Sequence, residues 1–169
     1  VSLEEHKKIK LKNVKVMVVT ISDTRTYETD KSGKVICELL SKNYFEITSY
    51  QIIRDEQADI KSTLISGIQD MNVDVIITNG GTGISNRDVT FEVVEELIDR
   101  PIPGFGELFR MLSYEEIGSA SMLSRAIAGI ANGTVIFSTP GSTGAVKLAM
   151  EKLIVPELVH IVNELKKDN

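Results

Sequence analysis

A chain of 169 residues, 42% hydrophobic and 25% charged, has the length and apolar content of one compact domain able to bury roughly two-thirds of the surface its unfolded form exposes. Its 19 basic and 24 acidic residues leave a net charge of −5, which excludes the broad basic footprint of a nucleic-acid binder, so any phosphate site must be built locally from backbone amides, a few basic groups or a metal ion. No tract approaches the roughly 18 apolar residues that span a bilayer, and the charged start, Val1 to Lys8, lacks the apolar region of a secretory signal; a cytoplasmic, membrane-free protein is expected.

Val14 to Ile21 is a β-branched run ended by Ser22-Asp23-Thr24 and predicts a buried first strand. Ser32-Gly33 precede a helical pattern through Leu40, in which the single cysteine, Cys37, reads as core packing. Phe45 to Ile53 predicts a second strand. Ile60, Leu64, Ile68 and Met71 mark a second helix, and Val73 to Thr78 a third strand. The glycine-rich stretch Asn79 to Gly83 follows, then a short helix marked by Phe91, Val94, Leu97 and Ile98 and stopped at Arg100-Pro101-Ile102-Pro103.

Two more helices are predicted, one through Phe105, Leu108, Phe109 and Leu112, the other through Met122, Leu123, Ala126, Ile127 and Ile130, with Gly118 as the stop between them. Met111, Met122 and Met150 fall in these apolar patterns and read as core. Thr134 to Ser138 is the last clear strand, and Thr139-Pro140-Gly141-Ser142 leads into a C-terminal helix bent at Pro156. This alternation predicts an α/β fold with a parallel sheet covered on both faces and ligand loops at the strands' carboxyl ends. A single domain over 14–169 follows an N-terminal arm, 1–13.

Those loops carry the unusual chemistry. Gly80-Gly81-Thr82-Gly83 after a strand bares successive N–H groups that can converge on a phosphate, although the same residues also suit a sharp turn. Asn86 stands where a dinucleotide fingerprint needs glycine, and Gly141-Ser142-Thr143-Gly144-Ala145-Val146-Lys147 lacks the ending of a Walker loop. Asp88 reads equally as a helix cap or as a metal-associated carboxylate beside a phosphate loop. Thr90 reads as a cap. Asp55 and Glu56 suit the start of a helix, but in a parallel sheet Asp55 can approach Asp88 and complete a hard-cation site. Arg54 and Arg87 either orient anions or pair with a neighbouring Asp. His6 and His160 form neither a zinc cluster nor a nucleophilic triad.

Val19-Thr20-Ile21-Ser22-Asp23-Thr24-Arg25-Thr26, Thr78-Asn79-Gly80-Gly81-Thr82-Gly83, Arg87-Asp88-Val89-Thr90, Pro103-Gly104-Phe105-Gly106-Glu107, Met122-Leu123-Ser124-Arg125-Ala126 and Pro140-Gly141-Ser142 occur in the order and spacing of a known family. On these blocks the chain resembles the molybdopterin adenylyltransferases, the MogA/MoaB and gephyrin G-domain group. The blocks 23–26 and 30–33, together with the stretch 107–116, look closer to the MoaB branch. The resemblance implies a three-layer α/β/α fold with a mostly parallel central sheet. It implies molybdenum cofactor biosynthesis by adenylyl transfer from Mg-ATP to the terminal phosphate of molybdopterin, releasing pyrophosphate.

It further implies that Asp55 and Asp88 bind Mg²⁺ and orient the reacting phosphates. Gly80, Gly81, Thr82 and Gly83 would cradle phosphate, and Ser22, Asp23, Ser113, Gly141 and Ser142 would line the remaining pocket. The segment Pro140-Gly141-Ser142-Thr143-Gly144 departs from the Pro-Gly-Asn-Pro version of the gephyrin-like branch. Ser124 and Arg125 read as a hydrogen-bonded pair supporting a helix. Implied partners are the two small-molecule substrates, further copies of the chain in a trimer or hexamer, and a molybdenum-insertion protein. The alternative is a molybdopterin-binding or assembly protein of the MoaB type that does not turn over. The apolar Leu3, Ile9 and Leu11 of the arm are expected to dock on a neighbouring subunit.

Overall fold

The computed structural model describes Ser2 and residues 14–167; the rest of the expected arm lies outside the described residues. In chain order the elements are β1 (Lys15–Ile21), α1 (Lys31–Lys42), β2 (Glu46–Ile53), α2 (Gln57–Gln69), β3 (Val75–Asn79), α3 (Thr90–Leu97), the two-residue β4 (Arg100–Pro101) and α4 (Pro103–Ile117). A 3₁₀ segment (Gly118–Leu123) then leads to β5 (Ile127–Ala131), β6 (Thr134–Thr139) and α5 (Thr143–Ala149), and a π-helical turn (Met150–Ile154) passes into α6 (Val155–Lys166).

One six-stranded sheet runs in the order β2-β1-β3-β6-β5-β4. The pairs β1·β2, β1·β3 and β3·β6 are parallel, while β5 pairs antiparallel with both β6 and β4. Alternate residues of the central strands enter opposite cores, as the two-residue period of a strand requires. Val16, Val18, Val75, Ile77, Val135 and Phe137 pack with residues of α1, α4, α5 and α6, whereas Met17, Val19, Ile21, Ile76 and Ile136 pack with residues of α2 and α3. The fold is the expected three-layer α/β/α arrangement around a mostly parallel sheet.

The structure corrects the helix predicted through Met122 to Ile130. Residues 127–131 form β5, which turns into β6 through Asn132 (φ 47°) and Gly133 (φ 84°). Positive φ at both central residues defines the two-residue hairpin turn that Asn-Gly favours. Met122 is 73% exposed and Met111 54% exposed, so neither belongs to the core, while Met150 is fully buried as expected. Met71 lies beyond the end of α2 and is exposed. Cys37 is half-buried against the core, and burial pushes its thiol up to about 11, away from reactivity.

At Pro156, where the sequence suggests a bend, the helix passes through the π turn Met150–Ile154 just before the proline. A proline ring crowds the carbonyl four residues back and supplies no N–H, and widening one turn relieves that conflict. No helix of the described residues is long and apolar enough to cross a membrane.

Candidate functional site

The carboxyl ends of β1, β3 and β6 meet at a cleft of about 490 Å³. It lies between β1 and β3, whose following helices α1 and α3 cover opposite faces of the sheet, which is where open α/β sheets leave a crevice. The strand ends beneath it are unusually polar for a core: Thr20, Thr78, Asn79, Ser138 and Thr139 are all fully buried. They satisfy one another, with Asn79 Nδ2 donating to Thr20 Oγ1 at 2.8 Å, Thr78 Oγ1 to Ser138 Oγ at 2.8 Å and Thr139 Oγ1 to the Thr78 carbonyl at 2.9 Å. This network fixes the platform from which the loops spring.

The glycine loop shows a division of its backbone groups. The Gly80 carbonyl accepts from Thr90 Oγ1 at 3.1 Å, and the Gly81 carbonyl from Thr90 N at 3.1 Å. The Thr82 carbonyl accepts from Arg125 N at 2.9 Å and the Gly83 carbonyl from Arg125 Nε at 2.9 Å. All four acceptors are therefore tied into the protein. The amides of Gly81, Thr82 and Gly83 donate to none of the described residues. In a trans peptide the N–H points opposite to the carbonyl it shares a plane with, so anchoring these carbonyls turns the following amides away from Thr90 and Arg125. Gly81, Thr82 and Gly83 all line the cleft. Positive φ at Gly80 (103°) and Gly81 (72°) makes the path available to glycine and strained for other residues.

Thr90 is thus fully buried as a clamp on the glycine loop and does not cap its own helix by its side chain. Arg125 is a second clamp. Its Nη2 donates to the Asp88 carbonyl at 2.9 Å, it pairs with Glu92, and its guanidinium lies 5.1 Å from the centre of the Phe91 ring. Arg125 and Ser124 do not form the expected pair: Ser124 Oγ is buried without a hydrogen-bond partner, in a residue that lines the cleft.

Asp55 and Asp88 both line the cleft, on different loops. Asp88 Oδ2 accepts from Ser85 N at 3.0 Å and Ser85 Oγ at 2.7 Å, which holds the carboxylate in a tight local turn and not as a cap of α3. No donor among the described residues reaches the Asp55 carboxylate; its backbone N–H donates to Asp23 Oδ1 at 3.1 Å. Burial, then the charges of Asp23 and Asp88, push the Asp55 carboxyl above its ordinary 3.8. A desolvated carboxylate with no donor and two like charges nearby is the environment that a hard cation relieves.

Ser22, Asp55, Gly80, Gly81, Thr82, Gly83, Asp88 and Gly141 are thus brought together in one cleft. Asp23 stands at its rim, where Arg87 Nη2 reaches both of its oxygens at 2.9 Å and Nη1 reaches Glu56 Oε1 at 2.9 Å. Arg87 therefore pairs across loops, and its hydrogen bonds hold the Asp23 carboxyl below its usual range. Arg54 lines an adjoining depression with Asp59, Ser62 and Thr63. Ser113 and Ser142 are not cleft-lining residues: Ser113 is buried in α4, and the Ser142 hydroxyl accepts from Ala145 N at 3.3 Å as the cap of α5. Thr24, Arg25, Leu123, Ser124 and Pro140 line the cleft as well. All five fall within blocks that carry the family resemblance, but residue type alone gives no sign that they share a wall.

A glycine loop that presents free amides opposite two carboxylates, at the carboxyl ends of parallel strands, defines an α/β protein whose ligand crevice lies at the strand ends. The family model described as "Probable molybdopterin binding domain" matches residues 17–160, and the chain belongs to this family of molybdenum cofactor biosynthesis proteins. It is 56% identical over 167 residues to the Bacillus cereus protein named "Molybdenum cofactor biosynthesis protein B", covering 98% of this chain and 99% of that one. A crystal structure described as molybdenum cofactor biosynthesis protein B superposes with a TM-score of 0.89 at 56% identity, covering 91% of this chain and 96% of the other. The tungsten cofactor synthesizing protein MoaB from Pyrococcus furiosus superposes at 0.82 with 41% identity, over 90% and 97% of the two chains.

Proposed function

We propose that the chain transfers the adenylyl group of Mg-ATP to the terminal phosphate of molybdopterin. A phosphate oxygen of the pterin attacks the ATP α-phosphorus, and the bond from that phosphorus to the β-phosphate oxygen breaks. Pyrophosphate leaves with the electron pair. Such a step asks for alignment and charge neutralisation more than for a side-chain nucleophile.

The observation that carries this reading is the split of the glycine loop, with four carbonyls tied into the protein and three successive amides left for a ligand that accepts hydrogen bonds. Those amides suit phosphate oxygens, and because the protein already holds them in place they need little reorganisation as charge shifts during transfer. Mg²⁺ held by Asp55 and Asp88 would supply the charge compensation for the polyphosphate. The protein's share is to keep Asp88 fixed through Ser85 and Arg125 and Asp55 unpaired. We further propose that the active form is a homo-oligomer on a threefold axis and that a molybdenum-insertion protein receives its product.

The direct test incubates purified protein with molybdopterin and Mg-ATP and follows adenylylated molybdopterin by mass and pyrophosphate by a coupled assay. Formation of both in equal amounts is expected. Binding of both substrates with neither product would overturn the transfer reading and leave a molybdopterin-binding or assembly protein.

A further inference from the structure

Among the residues lining the cleft, Arg25 is the one base. Of the other arginines nearby, Arg87 is committed to Asp23 and Glu56 at the rim and Arg125 to Glu92 behind the glycine loop, while Arg54 lines the adjoining depression and not the cleft. Arg25 sits at the end of the cleft formed by Gly80 and Gly141. Its Nη2 donates to the Gly141 carbonyl at 2.7 Å and its Nη1 to Asn79 Oδ1 at 3.3 Å. An atom added at Gly141 would lie 3.4 Å from Gly80 Cα and 3.6 Å from Arg25 Nη2. The carboxylates occupy the other end: an atom added at Gly81 would meet Asp55, and one added at Gly83 would meet Asp88. The loop thus runs from a cationic end to an anionic end.

The guanidinium is held in place but not used up. Asn79 is itself fixed by its bond to Thr20, and the Gly141 carbonyl also accepts from Ser32 Oγ at 2.7 Å. Asp30, fully buried, stands 3.6 Å from Nη1. Its oxygens already accept from Gly33 N and from the Tyr50 hydroxyl, so Arg25 acts as a nearby counter-charge without donating a hydrogen bond to it. A guanidinium offers five N–H donors, and that of Arg25 makes two hydrogen bonds to the described residues. The side chain keeps 30% of its exposure.

We propose that Arg25 binds the terminal phosphate of molybdopterin at the Gly80–Gly141 end of the cleft, without a metal ion, while the metal-bridged polyphosphate takes the end that carries Asp55 and Asp88. The assignment rests on the functional reading above and deepens it. Two anions have to be brought together for transfer. Unbridged phosphate next to the two aspartates is repelled, whereas a fixed guanidinium receives it with charge-assisted hydrogen bonds. Separate cationic and metal-bridged ends let each anion be neutralised by its own means before they meet.

The experiment measures binding of molybdopterin and of its dephosphorylated form in the presence of EDTA and the absence of ATP, for the wild type, Arg25→Gln and Arg25→Lys. The wild type is expected to prefer the phosphorylated pterin by about 10- to 100-fold, the range of a charge-assisted contact. Arg25→Gln should abolish that preference while binding the dephosphorylated form as the wild type does. Arg25→Lys should keep part of it, because charge survives and the planar fork does not. Equal weakening of both pterins in Arg25→Gln would show a structural prop and overturn the proposal. So would a wild type that does not distinguish the two pterins. Should Arg25→Gln fail to fold, an unchanged preference in Arg25→Lys together with no competition by inorganic phosphate in the wild type would also overturn it. The measurement needs no turnover, so a protein with the expected preference but no adenylyl transfer would refute the reaction and leave this binding site standing.

Discussion

Substituting Gly81 by Ala tests the glycine loop as both a structural and a binding element. At φ 72° the new residue sits in the left-handed region, which costs about 1–2 kcal/mol for a residue with a Cβ. The added Cβ would also overlap Thr90 Oγ1 and come within 3.3 Å of Asp55 Oδ1. Thr90 then has to rotate and release the Gly80 carbonyl, a further loss of about 1 kcal/mol. A total of about 2–3 kcal/mol is small against the roughly 5–15 kcal/mol stability of a domain, so the chain stays folded. With about 2–4 °C per kcal/mol for a domain of this size, Tm should fall by about 4–12 °C. Differential scanning fluorimetry measures this, with Gly104→Ala as the control, because an added Cβ there meets nothing within 4 Å and a helix gains from Ala over Gly. In parallel, affinity for ATP and for molybdopterin should drop in Gly81→Ala, since the free amides move with the loop. A variant with Tm within one degree of the wild type and unchanged affinity for both ligands would refute the strained, ligand-facing loop.

Asp88→Asn should keep the fold and lose most adenylyl transfer at saturating Mg-ATP, as followed by product mass; wild-type turnover in the folded variant would remove Asp88 from the chemistry. Asp55 carries a raised folded pKa, so its ionised form opposes folding and stability falls as pH rises from 3.8 through the folded value. Asp55→Asn should therefore match or exceed the wild-type Tm at neutral pH in EDTA, show a smaller decline across that window, and no longer gain stability from added Mg²⁺; a lower Tm that Mg²⁺ restores would contradict this. Arg125→Met removes two bonds to backbone carbonyls, at Gly83 and Asp88, and should cost about 2–3 kcal/mol in urea unfolding together with a loss of transfer. Arg125→Lys should recover little of the loss, because an ammonium lacks the fork that spans both carbonyls, and full recovery would show that charge alone matters.

The parallel half of the fold was legible because each of β1, β3 and β6 is a short apolar run followed by polar or glycine residues, and each helix between them keeps a helical period. The miss at 122–130 has a specific cause. Met122, Leu123, Ala126, Ile127 and Ile130 satisfy helical spacing, but the Asn132-Gly133 pair two residues on demands positive φ at both positions, and that fixes a hairpin whose first strand is 127–131. The tertiary sheet edge decided an ambiguous pattern. At the site, Gly80 to Gly83 stand out by residue type at a strand end, whereas Asp55 and Asp88 equally suit helix starts and are singled out by the family resemblance. The clamp roles of Thr90 and Arg125 do not stand out, since a Thr at a helix start resembles a cap and an Arg beside a Ser in an apolar pattern resembles one half of a hydrogen-bonded pair supporting a helix. Their roles come from carbonyls brought near them by the fold. Ser113 and Ser142 show the converse, with plausible polar types taken up by burial in α4 and by the cap of α5.

The exposed face of α4 makes the assembly testable. Leu108, Met111, Tyr114 and Ile117 follow at three-residue spacing and are 47%, 54%, 62% and 61% exposed, and Met122 (73%) and Leu123 (48%) extend the apolar surface along the 3₁₀ segment. Residues three apart on a helix are neighbours, and with 3.6 residues per turn the series winds obliquely round α4 as a continuous apolar stripe; contiguous apolar surface of this kind marks contact sites more often than isolated apolar residues do. Leu123 also lines the cleft, so whatever covers the stripe adjoins the ligand site. A second copy of the chain fits the threefold assembly proposed above, because a face that meets a different surface on its neighbour closes a ring when the rotation is one third of a turn. Light scattering coupled to size exclusion should give a trimer or a hexamer for the wild type at micromolar concentration. The pair of substitutions Met111→Glu and Tyr114→Glu, both on already exposed positions, should lower the mass towards the monomer while leaving the circular dichroism unchanged. A monomeric wild type would refute the assembly. A double variant that kept the wild-type mass would place the subunit contact elsewhere and leave the stripe facing solvent.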